Sequence, residues 1–194
     1  MKTTPSRLVL SLTLFIGLFF SSFILKADNP QVLIETNKGS MIIELYPNEA
    51  PLSVENFLNY VNSGYYDGTI FHRVIGNFMI QGGGFEADFK RKPTHAPIQN
   101  EADNGLQNRI GTIAMARTND PHSATSQFFI NVANNNSLDF REKTPRAWGY
   151  AVFGRVTDGM RTVNTIRTVP TTSQNGHQDV PVEPVIIERA RQIK

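Results

Sequence analysis

The chain has 194 residues, of which 40% are hydrophobic and 19% charged, and it contains no cysteine. This length is sufficient for one domain with a buried core. The absence of cysteine excludes thiol catalysis, thiolate metal sites and disulfide scaffolds. Three of the 19 basic residues lie in the first 27 positions, so 16 basic and 17 acidic residues remain beyond them. That balance supplies no basic surface for a phosphate backbone, and we expect no nucleic-acid partner.

Residues 1–27 have the pattern of a secretory signal peptide. Lys2 and Arg7 precede 18 uncharged, mostly apolar residues, Leu8–Leu25, and Ala27 then precedes a polar segment. This order predicts cleavage after Ala27, which leaves a mature domain of residues 28–194. This 18-residue stretch is also long enough for an uncleaved membrane anchor, so that alternative stays open. In both cases the basic flank remains in the cytoplasm and the remainder is exported.

The first elements of the exported part are a hairpin and a helix. Apolar and polar residues alternate over 32–34 and 41–45, around a glycine-containing turn at 36–39, which predicts a β-hairpin. Val54, Phe57, Leu58 and Val61 then follow the spacing of an apolar helix stripe, between Pro51 and Gly64.

Six further strands and a second helix are predicted along the rest of the chain. The strands are Thr69–Ile75, Phe78–Gln81, Ile110–Ala116, Gln127–Ala133, Ala151–Val156 and Pro184–Ala190. The helix spans about 159–168, with Asp158 as its cap. Eight short strands without βαβ alternation predict a mainly β fold, an antiparallel sheet closed on itself. Many large apolar residues are predicted to face inward, which favours a filled interior over a barrel that holds a small ligand.

Most common catalytic motifs are missing from the sequence. The run Gly82-Gly83-Gly84 has neither the spacing nor the strand–helix context of a dinucleotide loop, and no Gly-x-Ser-x-Gly elbow is present. The four histidines are scattered and no pair has metal-ligand spacing. We therefore expect neither a metal nor a cofactor, and we interpret His72 as a structural residue.

Arg73 lies among apolar residues of a predicted strand, and its role has two interpretations. Strand alternation predicts that Phe71, Arg73 and Ile75 share one face, and that Met79 and Gln81 share another. Arg73 could be a surface residue on a core strand. Alternatively, it could be the directed donor of an apolar binding groove.

Phe71–Ile75 with Phe78–Gly83, Ser126–Ile130 and Ala151–Val156 are three distinctive blocks of this sequence. These blocks resemble the cyclophilin family of peptidyl-prolyl cis–trans isomerases, or rotamases, and the resemblance runs from about Val32 to Arg189. Residues 100–106 and Gly149-Tyr150 are most similar to the exported, periplasmic bacterial branch. The resemblance implies a closed eight-stranded antiparallel β-barrel capped by two α-helices, with a substrate groove on its outer surface.

The resemblance also implies a role for each matching residue. Arg73 would be the catalytic residue that stabilises the twisted prolyl amide. The proline pocket would be formed by Phe78, Met79, Phe129 and Leu138. Gln81 would contact the substrate backbone, the main chain at Ala116 and Arg117 would pair with the peptide, and Gln127 would line a neighbouring subsite. Tyr150 would stand where many eukaryotic members have a pocket histidine.

The implied partners are proline-containing polypeptides that fold in the cell envelope, and the implied location is the periplasm, with secretion or membrane anchoring as alternatives. We expect a monomer. Ser137 occupies a position where many cyclophilins have tryptophan, so we expect weak cyclosporin binding. A peptide-binding chaperone or adhesion module that kept the groove remains the alternative to an enzyme, because the groove alone would serve either protein.

Overall fold

The computed structural model describes residues 28–194, so the predicted signal segment 1–27 lies outside the described residues. Ten strands and two α-helices follow one another in this part of the chain. They are β1 (Gln31–Thr36), β2 (Gly39–Leu45), α1 (Pro51–Asn62), β3 (Thr69–Ile75), β4 (Met79–Glu86), β5 (Thr112–Met115), β6 (Phe128–Asn131), β7 (Val152–Asp158), α2 (Met160–Ile166), β8 (Thr171–Gln174), β9 (His177–Pro181) and β10 (Ile187–Gln192). All eight predicted strands and both predicted helices are present. Among these residues, no helix has the length and hydropathy needed to cross a membrane.

Eight strands form one antiparallel sheet that curls into a barrel. Their order is β10-β1-β2-β7-β5-β6-β4-β3. The two edge strands, β10 and β3, meet without a continuous ladder. Their seam contains one isolated bridge, Ile70 with Ile186, and backbone hydrogen bonds from Phe71 to Val185 (2.9 Å) and from Gly68 to Ile187 (2.8 Å). The predicted closed barrel is therefore nearly closed, with one unsealed seam.

The barrel interior is filled by aromatic and branched side chains. Phe128 packs edge-on against Phe57 of α1, with ring centroids 5.5 Å apart, and against Tyr66 and Phe71. All four rings are fully buried. Val163 and Ile166 of α2 belong to the same core. A filled interior agrees with the expectation from sequence.

The predicted cap of α2 is wrong by one residue. Gly159 is the N-cap, in a left-handed conformation with φ 82°, and no side chain caps the helix. The Asp158 carboxylate instead accepts a hydrogen bond from the Gly159 N–H (2.7 Å). A glycine is needed here because a β-carbon would lie 2.3 Å from the Ser40 carbonyl oxygen.

A β-bulge in β3 places the side chains of this strand on different faces from those that the sequence predicted. Phe71 pairs with Gly82 and Arg73 with Gln81, so His72 is an extra residue on its strand. A bulge of this kind changes the face on which the following side chains lie. Phe71 consequently points into the core, whereas Arg73 lines a surface cavity. The prediction that these two residues share a face was wrong.

Strands β8 and β9 were not predicted, and they form a separate hairpin beside the barrel. The four residues of β8, Thr171–Gln174, are all exposed and polar, so they show no apolar alternation. The signal that could have located the hairpin is Asn175-Gly176, where both residues have positive φ (50° and 79°). Asn-Gly is the sequence preferred for a type I′ hairpin turn.

Candidate active site

Nine of the ten residues that the resemblance singled out line one surface cavity of about 210 Å³. They are Arg73, Phe78, Met79, Gln81, Ala116, Arg117, Phe129, Leu138 and Tyr150. The tenth, Gln127, lines the adjoining cavity and touches Gln81. The fold therefore brings the whole predicted set together on the outer surface of the barrel.

The apolar wall of the cavity follows from the pairing of β4 with β6. Met79 pairs with Asn131, and Gln81 pairs with Phe129, so alternate side chains of both strands point outward. Tyr150 packs edge-on against Phe129, with centroids 5.6 Å apart. Phe78 and Leu138 are partly buried against the same cluster. Phe78 precedes β4 and lies with Met79, because the turn before the strand breaks the alternation that would have placed it with Ile80.

Three buried asparagines hold the pocket's loops in place. Asn131 donates a hydrogen bond to Asn108 (3.1 Å) and accepts one from Asn135 (2.7 Å). Asn135 also donates to the Phe78 carbonyl (2.8 Å), and Asn108 donates to the Leu138 carbonyl (3.2 Å). The network thus fixes the backbone of two residues that line the cavity. Asn135 begins an Asn-x-Ser sequence, but its amide is buried in this network rather than presented to solvent.

Arg73 lies at the rim of the apolar wall. Within residues 28–194, its guanidinium makes no hydrogen bond to another protein group. Its nearest charged partner is Asp179 of β9, whose Oδ2 is 3.9 Å from the Arg73 Nε. The two side chains are 43% and 40% exposed, so the pair is loose and solvent-screened. The N–H groups of Arg73 therefore remain available to a ligand in the cavity.

The polar side of the site is formed by Gln81 and Gln127. The Gln81 Nε2 donates to the Gln127 Oε1 (3.0 Å). Space for this pair comes from Gly84, where a β-carbon would lie only 2.5 Å from the Gln127 side chain. The Ala116 N–H donates to the Gln127 carbonyl (3.0 Å), and in the described part of the chain no backbone N–H donates to the Ala116 carbonyl. That carbonyl is available to an extended peptide.

Arg117 ties the segment directly after β5 to the loop that carries Tyr150. Its Nε donates to the Gly149 carbonyl (2.9 Å), and its Nη1 donates to the Thr118 carbonyl (2.8 Å). The guanidinium lies 4.5 Å from the centroid of the Tyr150 ring, a cation–π geometry. Through these contacts the Arg117 side chain forms part of the cavity wall.

His72 is buried next to Arg73 and does not face the cavity that Arg73 lines with the apolar residues. It is 4% exposed, and its Nδ1 has no hydrogen-bond partner among residues 28–194. Burial, with smaller contributions from His177, Arg73 and Arg91, lowers the pKa of His72 to about 4. The ring is therefore neutral near pH 7, as a structural histidine should be.

The residues described by the structure include no group of three or more His, Cys, Asp or Glu side chains that could hold a metal ion. Sequence reasoning overlooked Asp179 and the asparagine network. Asp179 was overlooked because its hairpin was not predicted. The asparagines were overlooked because isolated amides in strands and loops carry no periodic signal.

The chain is similar to known proteins in sequence and in fold. A family model described as cyclophilin type peptidyl-prolyl cis-trans isomerase/CLD matches residues 31–192. Peptidyl-prolyl cis-trans isomerase cyp18 of Streptomyces antibioticus is 64% identical over 160 residues, which are 82% of this chain and 96% of that protein. Peptidyl-prolyl cis-trans isomerase A of Dickeya dadantii is 50% identical over 186 residues, which are 96% of this chain and 94% of that protein.

A solved structure has the same fold. It is a cyclophilin type peptidyl-prolyl cis-trans isomerase of Cryptosporidium parvum, crystallised in the presence of the dipeptide Ala-Pro. It superposes with a TM-score of 0.68 at 30% identity and covers 84% of this chain and 99% of its own. The chain thus belongs to the cyclophilin-type peptidyl-prolyl cis–trans isomerase family, and it is an isomerase.

Proposed function

We propose that this isomerase uses Arg73 to stabilise the twisted state of an Xaa–Pro bond held in the 210 Å³ cavity. Rotation about this bond is slow because amide resonance gives the C–N bond partial double-bond character, with a barrier of about 18–20 kcal/mol. When the bond is twisted, resonance is lost and the prolyl nitrogen gains a lone pair. A donor directed at that nitrogen interacts more strongly with the twisted geometry than with either planar one.

One observation carries this proposal: a guanidinium without a hydrogen-bonded protein partner in the described chain lies at the edge of an apolar pocket. Arginine suits the role because it remains charged at any relevant pH and offers several N–H donors. The apolar wall of Phe78, Met79, Phe129 and Leu138 would bind the proline ring and exclude water. Gln81 and the Ala116 carbonyl would hold the peptide on either side.

The chemistry needs neither a nucleophile nor a general base, because no covalent bond is made or broken. His72 therefore has no proton to transfer. The residues of the pocket only bind, orient and stabilise.

A protease-coupled assay with an Ala-Pro peptide tests the role of Arg73. We expect Arg73→Ala to lower kcat/KM by about 10²–10³, the loss that follows removal of one directed donor. Gln192→Ala, at the exposed end of β10, is the control and should keep its activity. Equal acceleration by wild type and Arg73→Ala would remove this residue from the mechanism. Peptide binding without acceleration by the wild type would favour the peptide-binding module.

We also propose that the protein assists the folding of proline-containing polypeptides in the cell envelope. The charge and hydropathy pattern of residues 1–27 supports export. The alignment with the Dickeya protein, which covers 96% of this chain, extends into that segment. Cell fractionation with mass spectrometry tests the proposal. We expect a periplasmic protein that begins at Asp28. A full-length chain in the membrane fraction would indicate the anchor, and a cytoplasmic chain would contradict export.

A further inference from the structure

The hairpin of β8 and β9 lies outside the eight-stranded barrel, yet it contacts the strand that carries Arg73. His177 opens β9 and lies in a group of aromatic rings. Its centroid is 5.2 Å from Phe85, 5.6 Å from Phe89 and 6.4 Å from His72. The ring stacks on Phe89 with an angle of 26°. Since His72 directly precedes Arg73, this contact attaches the hairpin beside the guanidinium.

A bulge in β9 then sets the direction of Asp179. Thr172 pairs with Val180 and Gln174 with His177, so β9 has one residue more than β8 between these pairs. Asp179 has φ 59°, a left-handed conformation that aspartate adopts more readily than most residues with a β-carbon. Bulges beside active sites commonly redirect a side chain. Here the redirected carboxylate lies 3.9 Å from the Arg73 Nε.

Arg73 lines two cavities of different character. The 210 Å³ cavity has the apolar wall described above. The second cavity, about 400 Å³, includes Asp179, Arg91 and His177 in its lining. Asp179 lines the second cavity and not the first, so its carboxylate approaches the guanidinium from outside the apolar pocket. A carboxylate in this position neutralises little of the charge, because both partners are partly exposed, but it favours one orientation of the planar group.

We propose that Asp179 is a positioning residue: the bulged hairpin holds its carboxylate against the Arg73 Nε, so that the terminal N–H groups of Arg73 face the proline pocket. The inference rests on the proposed role of Arg73. A screened ion pair supports only a modest effect, so Asp179 tunes the rate rather than determining it.

The test is Asp179→Asn, which removes the charge and keeps the shape. Asparagine tolerates the left-handed conformation, so we expect folding and Tm to be unchanged. At low salt kcat should fall about two- to fivefold while KM stays within experimental error. Glu183→Gln is the matched control, because Glu183 is an exposed acid whose partner is Lys38, and it should leave kcat unchanged.

Two further readouts separate positioning from a merely structural role. In an Arg73→Lys background, which has no Nε, Asp179→Asn should cause no further loss of kcat. In the Asp179→Asn protein, the ¹⁵Nε–H chemical shift of Arg73 should change and the order parameter of this group should fall. Unchanged kcat and an unchanged Nε signal in Asp179→Asn would overturn the inference, as would a rise in kcat. Because Arg73→Ala is measured in the same series, a loss there with none in Asp179→Asn would refute the positioning role alone.

Discussion

The barrel has two apolar clusters, and they differ in what covers them. The inner cluster, which includes Phe57, Tyr66 and Phe128, is enclosed by the sheet and by both helices. The outer cluster has only four buried members, Met79, Ala114, Phe129 and Val152, and is edged by partly exposed side chains such as Phe78, Leu138 and Tyr150. The outer cluster therefore keeps an open side, and the 210 Å³ cavity lies there.

Two neighbouring residues of β6 illustrate this difference. Phe128 is fully buried in the inner cluster, and Phe129 is 4% exposed in the outer one. The two side chains have the same chemistry and almost the same burial. What distinguishes them is that Phe129 lines a cavity and Phe128 is surrounded by other rings. Hydrophobicity alone thus does not reveal a binding site, whereas an apolar cluster that the fold leaves open on one side does.

Alanine at each of these two positions tests the comparison most strongly. We expect Phe128→Ala to lower the free energy of unfolding by about 3–5 kcal/mol, because it leaves an enclosed cavity. Phe129→Ala should cost less stability, since water can enter the space that it leaves, but should raise KM for a proline peptide. Urea unfolding and the coupled assay measure both quantities. Equal losses of stability with unchanged KM would contradict the assignment of the outer cluster as the substrate pocket.

His72 lies at the bulge in β3, where the strand turns from the inner to the outer face of the sheet. Its titration makes the free energy of unfolding depend on pH. Its folded pKa, about 4, lies below the ordinary 6.5, so the unfolded chain binds more protons between these values. The free energy of unfolding should therefore fall as the pH falls from about 6.5 to about 4, by up to about 3 kcal/mol.

Urea unfolding of wild type and His72→Phe at pH 7 and pH 4 checks this expectation. Phenylalanine keeps the aromatic contact with Phe85 and has no titrating group. The substituted protein should lose less stability than wild type on acidification. The same loss in both proteins would show that His72 does not contribute.

Loss of the asparagine network should lower stability by a smaller amount and should mainly affect the outer cluster. Asn131→Ala removes the donor to Asn108 and the acceptor for Asn135, and should cost about 1–3 kcal/mol of stability. KM should rise because the Phe78 and Leu138 backbones lose support. Asn48→Ala is the control, since Asn48 is exposed, and should change stability by less than about 0.5 kcal/mol. An unchanged KM in Asn131→Ala would show that the network supports the fold without shaping the pocket.

The sequence predicted the elements of the barrel well and its irregularities poorly. Strands β1 and β2 and helix α1 carry clear periodic patterns, and they lie where those patterns indicated. The bulge at His72 carries no pattern, because it depends on how β3 pairs with β4. Strand alternation therefore placed Phe71 on the wrong face. The seam between β10 and β3 likewise depends on how the sheet closes rather than on local sequence.

The site was predictable mainly through the family resemblance. Spacing alone left Arg73 either as a surface residue or as a groove donor, and only the fold brings it together with Leu138 and Tyr150 across more than 60 positions of sequence. Asp179 could not be placed from sequence, because its direction is set by a bulge in a hairpin whose strands lack apolar alternation.

The most direct test of the account is the rate of cis–trans exchange of an Ala-Pro peptide at saturating concentration, measured by NMR with wild type and Arg73→Ala. At saturation the comparison reports on kcat alone. The account predicts a fall of about 10²–10³ in the exchange rate of the bound peptide, with the peptide's Kd much less affected. An unchanged exchange rate, or a loss that arises entirely in Kd, would contradict the claim that Arg73 stabilises the twisted bond.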